Sequence, residues 1–284
     1  MTFHQSPTMY VRDVTLNVEN LDRSLQFYKE VLGFEVARRT QKTASLITAG
    51  GDVLLILVQS SAMQKFQPRM TGLYHFALLL PSRKDLSVFV RHLLSLGLRF
   101  GSGDHLVSEA IYFSDPDGHG IEVYADRNPT SWNWRGEEVE MATLPVDFDS
   151  LLSLTTNNDS WEKMPKGTVM GHIHLQVKDM EQNERFYVEG LGYQIVSRLG
   201  KEALFLSDNN YHHHVAFNTW AGSYIKDKSD ESVGVKAFTV IVSSIKARRE
   251  IVSQLKKQGF IVEETEGKTF AYDPSNIIVT FEME

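Results

Sequence analysis

The stretch on which the fold assignment rests is Gly103-Asp-His105-Leu-Val-Ser-Glu-Ala-Ile-Tyr112-Phe-Ser-Asp115-Pro116-Asp-Gly118-His-Gly-Ile-Glu122. Residues 110–114 are β-prone, Asp-Pro-Asp-Gly has the chemistry of a tight turn, and residues 121–124 alternate apolar and polar side chains. This order predicts a strand, a turn and a second strand. Because successive side chains of a strand point to opposite faces, we expect Glu122 and Tyr124 on one face of that second strand.

Two internal repeats lie on either side of this stretch. Asp13-Val-Thr-Leu-Asn-Val18 matches His172-Ile-His-Leu-Gln-Val177, and Leu32-Gly33-Phe34 matches Leu191-Gly192-Tyr193, both at an offset of 159 residues. A fainter pair matches His75-Phe-Ala-Leu78 to Ala237-Phe-Thr-Val240 at an offset of 162, and Asp115-Pro116 to Asp273-Pro274 at an offset of 158. Self-similarity of this kind indicates that one structural unit occurs four times.

Each copy of the unit has the same order of elements. An alternating strand comes first, then an amphipathic helix that ends at a glycine, then several short strands. The predicted helices include residues 21–32, 83–96 and 245–257, and the four β-α-β-β-β modules span residues 9–60, 73–126, 169–220 and 234–284. Residues 127–168 are predicted to be a connector with one short helix near residues 149–154. The chain is therefore divided into residues 1–126 with modules 1 and 2, the connector, and residues 169–284 with modules 3 and 4.

The motif Gly-x-His, an aliphatic-Tyr pair, Asp-Pro-x-Gly and Glu around residues 103–122 resembles the signature of the extradiol ring-cleaving dioxygenases, in particular the catechol 2,3-dioxygenases. The four modules resemble the vicinal oxygen chelate superfamily, which contains glyoxalases, bleomycin resistance proteins and extradiol dioxygenases. The resemblance implies an α+β fold in which four tandem βαβββ modules form two cup-shaped open barrels. It also implies that metal ligands lie on the first and last strands of the modules.

The family's ligand positions can be matched to the four modules. The first-strand position is matched by Asp13, His75, His172 and Ala237, and the last-strand position by Leu54, Glu122, His213 and Thr280. Within this set His75, Glu122 and His172 offer two imidazoles and one carboxylate, which suits non-haem Fe(II). Because these three residues lie in modules 2 and 3, we predict that module 2 pairs with module 3. Modules 1 and 4 would then form a second cup without metal.

The run Tyr211-His212-His213-His214-Val-Ala216-Phe217 resembles a His-His-x-x-Ala element of the extradiol family. The resemblance makes His213 the general acid–base residue rather than a ligand, and it assigns His105 and Tyr112 to the oxygens of the diol.

His174 shares a strand face with His172, so we expect it either to support the metal ligands or to lie near the rim of the cup. Tyr124 is expected to support the ligands or to contact substrate. The candidates for an aromatic pocket are Trp220, Tyr124, Phe76 and Phe217, and the histidines without an expected role are His4, His92 and His119.

Composition restricts the class of protein further. The chain has 284 residues, a formal net charge of −7 and no cysteine, so any metal must be held by His, Asp or Glu. Acidic and basic residues are interspersed, which argues against nucleic acid as a partner. No signal peptide and no apolar run of about 18 residues is found, so we expect a cytoplasmic protein without a membrane partner. A homo-oligomer is compatible with this composition.

These observations predict an extradiol dioxygenase that cleaves a small aromatic diol with O2 and uses Fe(II). Mn(II) is the second candidate metal, and Zn(II) or Ni(II) could occupy the site in purified protein. One alternative is a glyoxalase-like isomerase or lyase, in which His213 would be a fourth ligand to Ni(II) or Zn(II). The other is a metal-free protein that sequesters a small molecule.

Overall fold

The computed structural model describes residues 3–60, 69–222, 224–265 and 267–284, and its elements follow the four predicted modules in order. Module 1 contains β1 Tyr10–Val18, α1 Leu21–Glu30, β2 Glu35–Arg39, β3 Thr43–Ile47 and β4 Val53–Gln59. Module 2 contains β5 Gly72–Leu79, α2 Arg83–Ser95, β6 Gly101–Asp104, β7 Ser108–Ser114 and β8 Gly120–Asp126. The connector contains a 3₁₀ turn Pro129–Ser131, β9 Trp134–Arg135, β10 Glu138–Val139 and α3 Phe148–Leu152.

The second half of the chain repeats this pattern. Module 3 contains β11 Val169–Gln176, α4 Met180–Glu184, a π-helical segment Arg185–Gly190, β12 Gln194–Leu199, β13 Ala203–Ser207 and β14 Val215–Asn218. Module 4 contains β15 Gly234–Ile241, α5 Ile245–Lys257, β16 Val262–Thr265, β17 Lys268–Tyr272 and β18 Ile278–Glu282. The predicted helix of residues 245–257 is confirmed at both ends, and those of residues 21–32 and 83–96 end one or two residues early.

Side-chain caps and glycines set the ends of these helices. The side chains of Asn20, Ser82 and Ser244 each accept a hydrogen bond from the backbone N–H three residues later, which satisfies a donor that the helix cannot pair. Gly33 follows α1 with φ of 77°, and a Cβ at this position would lie 2.7 Å from the Met164 backbone nitrogen. Only glycine therefore allows both the left-handed turn and the close contact with the connector.

The modules pair into two eight-stranded sheets, and the pairing is the one predicted from the distribution of candidate ligands. In one sheet β1 of module 1 pairs antiparallel with β15 of module 4, and in the other β5 of module 2 pairs antiparallel with β11 of module 3. Within every module the first strand pairs in parallel with the last. We call these the 1/4 sheet and the 2/3 sheet. Each contains one module from each half of the chain, and the division at residues 1–126 and 169–284 stays a prediction.

The two sheets share one hydrophobic core. Buried residues of both, such as Leu16 in β1 and Ile173 in β11, belong to the same cluster, which the helices cover. Phe76 and Phe217 are fully buried in this cluster, so the expectation that they line a ligand pocket is wrong. Burial of a phenylalanine side chain is worth about 1.5–3 kcal/mol, which accounts for their position in the core.

A buried tyrosine–aspartate hydrogen bond joins the two sheets in each half of the chain. Tyr28 of α1 donates to Asp115 of the module 2 turn over 3.0 Å, and Tyr187 of module 3 donates to Asp273 of module 4 over 2.8 Å. Both tyrosines follow a phenylalanine, in the pairs Phe27-Tyr28 and Phe186-Tyr187 that repeat at the offset of 159 residues, and both aspartates belong to the repeated Asp-Pro element. We call these contacts the two latches. The Asp-Pro turns therefore connect modules that belong to different sheets.

None of the helices in the described part of the chain combines the length and apolar content that a bilayer crossing requires.

Candidate metal centre

The strand register of the 2/3 sheet brings His75, Glu122 and His172 to one face. Ala77 of β5 pairs with Glu122 of β8 on one side and with His172 of β11 on the other, and His75 lies two residues before Ala77. Residues paired across strands, and residues two apart along a strand, point to the same face. The methyl group of Ala77 leaves space above it in which the three longer side chains converge.

The three side chains present their donor atoms to a common point. Glu122 Oε2 lies 3.0 Å from His75 Nε2 and 3.1 Å from His172 Nε2, and the two Nε2 atoms are 3.3 Å apart. Donor atoms about 2.1 Å from an octahedral ion are about 3 Å apart when they occupy one face. The observed separations therefore match the facial set of two histidines and one carboxylate that the sequence predicts.

Electrostatics at this point favour a cation. Burial opposes ionisation of Glu122, which is 2% exposed, yet its contacts with His172 and His75 hold its pKa well below the usual range. Burial lowers the pKa of His172 to about 4, so this imidazole is neutral at neutral pH and has a lone pair to offer. Two Nε2–H groups that both donated to Glu122 would face each other at 3.3 Å. A divalent ion removes that conflict and neutralises the buried carboxylate, so the residues fit such an ion.

Tyr112 and His105 form a hydrogen-bonded pair at the wall beside Glu122. His105 Nδ1 lies 2.7 Å from the Ala142 carbonyl, and His105 Nε2 lies 2.6 Å from the Tyr112 hydroxyl. Because a carbonyl only accepts, Nδ1 carries the proton, and in the neutral ring Nε2 accepts from Tyr112. Burial, with the nearby charge of Glu122, raises the pKa of Tyr112 well above 10, so its hydroxyl is protonated.

The register corrects two of the last-strand assignments. In module 3 the residue that pairs with His174 is Ala216, and in module 1 the residue that pairs with Thr15 is Ile56. Ala216 and Ile56 therefore occupy the positions equivalent to Glu122, and the matching of His213 and Leu54 to those positions is wrong. His213 lies before β14, in the loop that follows β13, because module 3 has a longer connection at this point.

His213 nevertheless faces the same cavity as the three ligands. Its ring centroid lies 4.0 Å from that of His172, but its nitrogens are outside the group of donor atoms formed by His75, Glu122 and His172. Burial and the neighbouring histidines lower the pKa of His213 well below 6.5. Tyr211, two residues before His213, packs instead against Phe3 and Trp132 in a separate cluster.

A hydrogen-bonded chain behind His213 was not found by sequence reasoning. Asp126 Oδ1 lies 2.8 Å from His212 Nε2, and His212 Nδ1 lies 2.9 Å from His213 Nδ1. The carboxylate only accepts, so His212 carries its proton on Nε2, and in its neutral form its Nδ1 accepts from Nδ1–H of His213. The His-His dipeptide was visible in the sequence, but Asp126 lies 86 residues before His212, and only the β8–β14 arrangement brings them together.

The cavity above His75, Glu122 and His172 has a volume of about 580 Å³ and an amphipathic wall. His174 lines it and is buried, and its ring lies 4.9 Å from that of His75, so its role stays a prediction. Among the described residues the lining includes Tyr74, Met141, Leu199, Phe205 and Trp220. Tyr124 is not part of this wall: it is fully buried under His172, with ring centroids 5.2 Å apart, and its hydroxyl is 2.7 Å from that of Tyr211.

A model of the glyoxalase/bleomycin resistance protein/dioxygenase superfamily matches residues 11–123 and 169–280 of the chain. These two ranges correspond to modules 1 with 2 and modules 3 with 4. The match therefore covers both sheets and leaves out the connector.

Among curated proteins, a catechol-2,3-dioxygenase of Bacillus subtilis (strain 168) is 41% identical over 270 residues, which is 94% of each chain. Among solved structures, a candidate dioxygenase from Bacillus subtilis subsp. subtilis str. 168 superposes with a TM-score of 0.67 at 13% identity, over 96% of this chain and 84% of that one. Glyoxalase I from Zea mays superposes with a TM-score of 0.57 at 16% identity, over 96% of this chain and 92% of that one. The two structural likenesses concern the fold.

Proposed function

The chain belongs to the glyoxalase/bleomycin resistance protein/dioxygenase superfamily, and on this premise we propose that it is an extradiol ring-cleaving dioxygenase of the catechol 2,3 type. Its substrates would be a small aromatic diol and O2. The observation that carries the proposal is the convergence of His75, Glu122 and His172 within 3.3 Å at the base of a cavity of about 580 Å³. The 41% identity to a catechol-2,3-dioxygenase supports the choice of reaction within the superfamily.

His75, Glu122 and His172 would hold the metal. We favour Fe(II), with Mn(II) as the second candidate, because two imidazoles and a carboxylate on one face suit these ions. When bound, such an ion supplies Lewis-acid and redox chemistry for the diol and O2. Tyr124, whose ring centroid lies 5.2 Å from that of His172, would help to keep that imidazole in place by packing against it.

Tyr112 and His105 would orient the diol. Because the Ala142 carbonyl fixes the proton of His105 on Nδ1, His105 Nε2 holds the Tyr112 hydroxyl in one direction. Tyr112 pairs with Glu122 across β7 and β8, so its side chain lies on the ligand face. A diol oxygen that enters the cavity therefore meets a hydroxyl that is already positioned, and this lowers the entropy lost in forming the reactive complex.

His213 would hold and move the proton that the reaction transfers. The chain from Asp126 through His212 fixes the proton of His213 on Nδ1, so its Nε2 has a lone pair and can take a proton. Asp126 and His212 are then positioning residues, because they act on substrate only through His213. A buried imidazole held in one tautomer next to the ligands is well placed for general acid–base catalysis.

The test is oxygen uptake by protein loaded with Fe(II) under anaerobic conditions and then mixed with catechol and air-saturated buffer. We expect uptake of one O2 per diol and the yellow absorbance of a hydroxymuconic semialdehyde. Glu122→Ala should lose both iron and uptake, whereas the control Asp13→Ala should keep both, because Asp13 lies in the 1/4 sheet.

Two outcomes would overturn the proposal. Metal-dependent isomerisation without oxygen uptake would identify the glyoxalase-like alternative. Tight binding of a small molecule by metal-free protein, without turnover when iron is added, would identify a sequestering protein.

A further inference from the structure

A second cavity, with a volume of about 310 Å³, lies where the two sheets meet. Its wall is formed by the start of β5, the end of β11, the module 2 turn and the start of β15, together with Lys228. We call it the junction cavity. Tyr74 of β5 lines both this cavity and the one above the metal ligands, but His75, Glu122 and His172 line only the latter. The junction cavity is therefore a separate site.

Lys228 is the charged group at this wall, and it is 9% exposed. Its backbone N–H donates to Thr71 Oγ1 over 3.1 Å, and its side chain crosses the face of Gly72, where a Cβ would lie 3.7 Å from Lys228 Cδ. The side chain is thus held in place on a strand end rather than extended into solvent.

The ammonium of Lys228 forms no ion pair or side-chain hydrogen bond with any residue in the described ranges. The charges of Asp273 and Asp230 favour its protonated form, but neither carboxylate forms an ion pair with it. Partly buried cations elsewhere in the described chain do have carboxylate partners, as Arg127 has with Asp104 over 2.7 Å. The ammonium is therefore a positive charge at the cavity wall that no carboxylate of the described residues neutralises, and an anion in the cavity would pair with it.

The rest of the wall indicates the kind of anion. Met70, Leu73, Val233 and Val235 provide apolar surface, and Thr71 and Ser114 provide hydroxyl groups. Sites for phosphate usually combine several cationic or backbone donors, whereas one ammonium beside apolar side chains suits a single carboxylate on a short hydrocarbon body.

We propose that the junction cavity binds a small aliphatic carboxylate, with its carboxylate group on the Lys228 ammonium and its hydrocarbon body against Met70, Leu73 and Val235. The ligand would contact both sheets, because Leu73 belongs to β5 and Val235 to β15. This inference does not rest on the proposed reaction, since none of the metal ligands takes part in it.

The test uses butyrate, with butyramide as its uncharged analogue and inorganic phosphate as the alternative anion, each titrated calorimetrically into the full chain. We expect saturable binding of butyrate, little binding of butyramide, and weaker binding of phosphate. Lys228→Met should weaken butyrate binding by at least about tenfold, because it removes a charge-assisted hydrogen bond. Lys226→Met is the matched control, since Lys226 is exposed and does not line the cavity, and it should bind as the wild type does.

Equal affinity of Lys228→Met and wild type, absence of saturable butyrate binding, or tighter binding of phosphate than of butyrate would each overturn the proposal. If Lys228→Met does not fold, a crystal structure of the wild type with butyrate decides. Density for the carboxylate at Lys228 supports the site, and butyrate found only elsewhere, or not found, contradicts it.

Discussion

The 2/3 sheet and the 1/4 sheet have the same strand order but different side chains at the same three positions. By the repeat offsets, His172, His75 and Glu122 of the 2/3 sheet correspond to residues of the 1/4 sheet that offer one carboxylate, one methyl group and one hydroxyl, namely Asp13, Ala237 and Thr280. Among the residues that the structure describes, the same curled backbone therefore supports a cluster of potential metal donors at these positions in the 2/3 sheet and not in the 1/4 sheet.

The difference lies in how each sheet neutralises its buried carboxylate. Asp13 receives a hydrogen bond from Arg12 Nε over 2.9 Å and another from the Thr239 hydroxyl over 3.1 Å. Burial raises the pKa of Asp13, and the guanidinium only partly offsets this effect. Glu122 instead faces two imidazoles, which are neutral ligands when deprotonated, so the compensating positive charge can come from a metal. The fold provides the positions, and the partner of the carboxylate decides whether a metal site results.

The largest effect is expected when Glu122 is replaced by threonine, the residue that the 1/4 sheet has at the equivalent position 280. Glu122→Thr should reduce bound iron from about one per chain to background, and ring cleavage should fall by more than the ~10- to 100-fold loss typical of outer-shell changes. Elemental analysis and oxygen uptake measure the two effects. Thr280→Ser, at the equivalent position, is the control and should retain iron. Iron retained by Glu122→Thr would show that this carboxylate is not a ligand.

The next largest effect is expected at His213, which has no imidazole counterpart in the 1/4 sheet. His213→Ala should keep iron but lose about 10²–10⁴-fold in kcat, the range for removal of a general acid–base group. His92→Ala, on the surface of α2, should leave both unchanged. Loss of iron in His213→Ala would instead favour the four-ligand, glyoxalase-like arrangement.

A smaller effect is expected at Asp126, whose counterpart in module 4 at the offset of 158 is Glu284. Asp126 lies 2.8 Å from His212, whereas Glu284 accepts from the Tyr10 hydroxyl over 2.6 Å. Asp126→Asn can donate where the carboxylate accepted, so the proton on His213 Nδ1 is no longer fixed. We expect kcat to fall about 10- to 100-fold, as for one hydrogen bond to a charged group, with KM and iron content unchanged. A change in KM as large as the change in kcat, or a kcat that stays low in Asp126→Glu, would indicate that Asp126 has a structural role.

The grouping of three potential metal-binding side chains could be predicted from the sequence because they fall on repeated strands. The offset of 159 residues fixed the first strands of modules 1 and 3, and the distribution of His75, Glu122 and His172 over modules 2 and 3 then required those modules to pair. Helix ends were predictable for a similar local reason, since Ser244 and Gly259 mark both ends of α5.

The wrong assignments of Leu54 and His213 arose because a single sequence does not encode the strand register or the path of a loop. Strand alternation has a period of two residues, so Leu54 and Ile56 were equally good candidates for the position in module 1 that is equivalent to Glu122. Only the pairing of Thr15 with Ile56 decides between them. His213 was misplaced because the loop before β14 has no counterpart of equal length in module 1. Tyr124 shares a strand face with Glu122, as predicted, but the alternation could not show that His172 would lie above it.

The smallest effect concerns the two latches, which extend the comparison from activity to stability. Asp115 and Asp273 accept from Tyr28 and Tyr187 in the same way, but Asp115 also faces the His119 ring at 2.7 Å. Burial raises the pKa of Asp273 from 3.8 to about 6, although the hydrogen bond from Tyr187 opposes this effect. Burial acts on Asp115 too, but its hydrogen bonds with His119 outweigh it and lower the pKa of Asp115.

The signs of the two pH effects are therefore opposite. Because the folded pKa of Asp273 lies above its unfolded value of 3.8, its contribution to stability is present below pH ~4 and is lost as the pH rises to about 6. The loss is on the order of 3 kcal/mol. Asp273→Asn, which cannot ionise, should flatten that part of the urea-unfolding profile between pH 4 and 7. Asp115→Asn should instead remove stability that is present above pH ~4, because the carboxylate form of Asp115 is the one that the folded protein stabilises. Parallel pH profiles of the free energy of unfolding for Asp273→Asn and the wild type would show that Asp273 ionises normally. The two latches would then not have opposite effects on the pH dependence of stability.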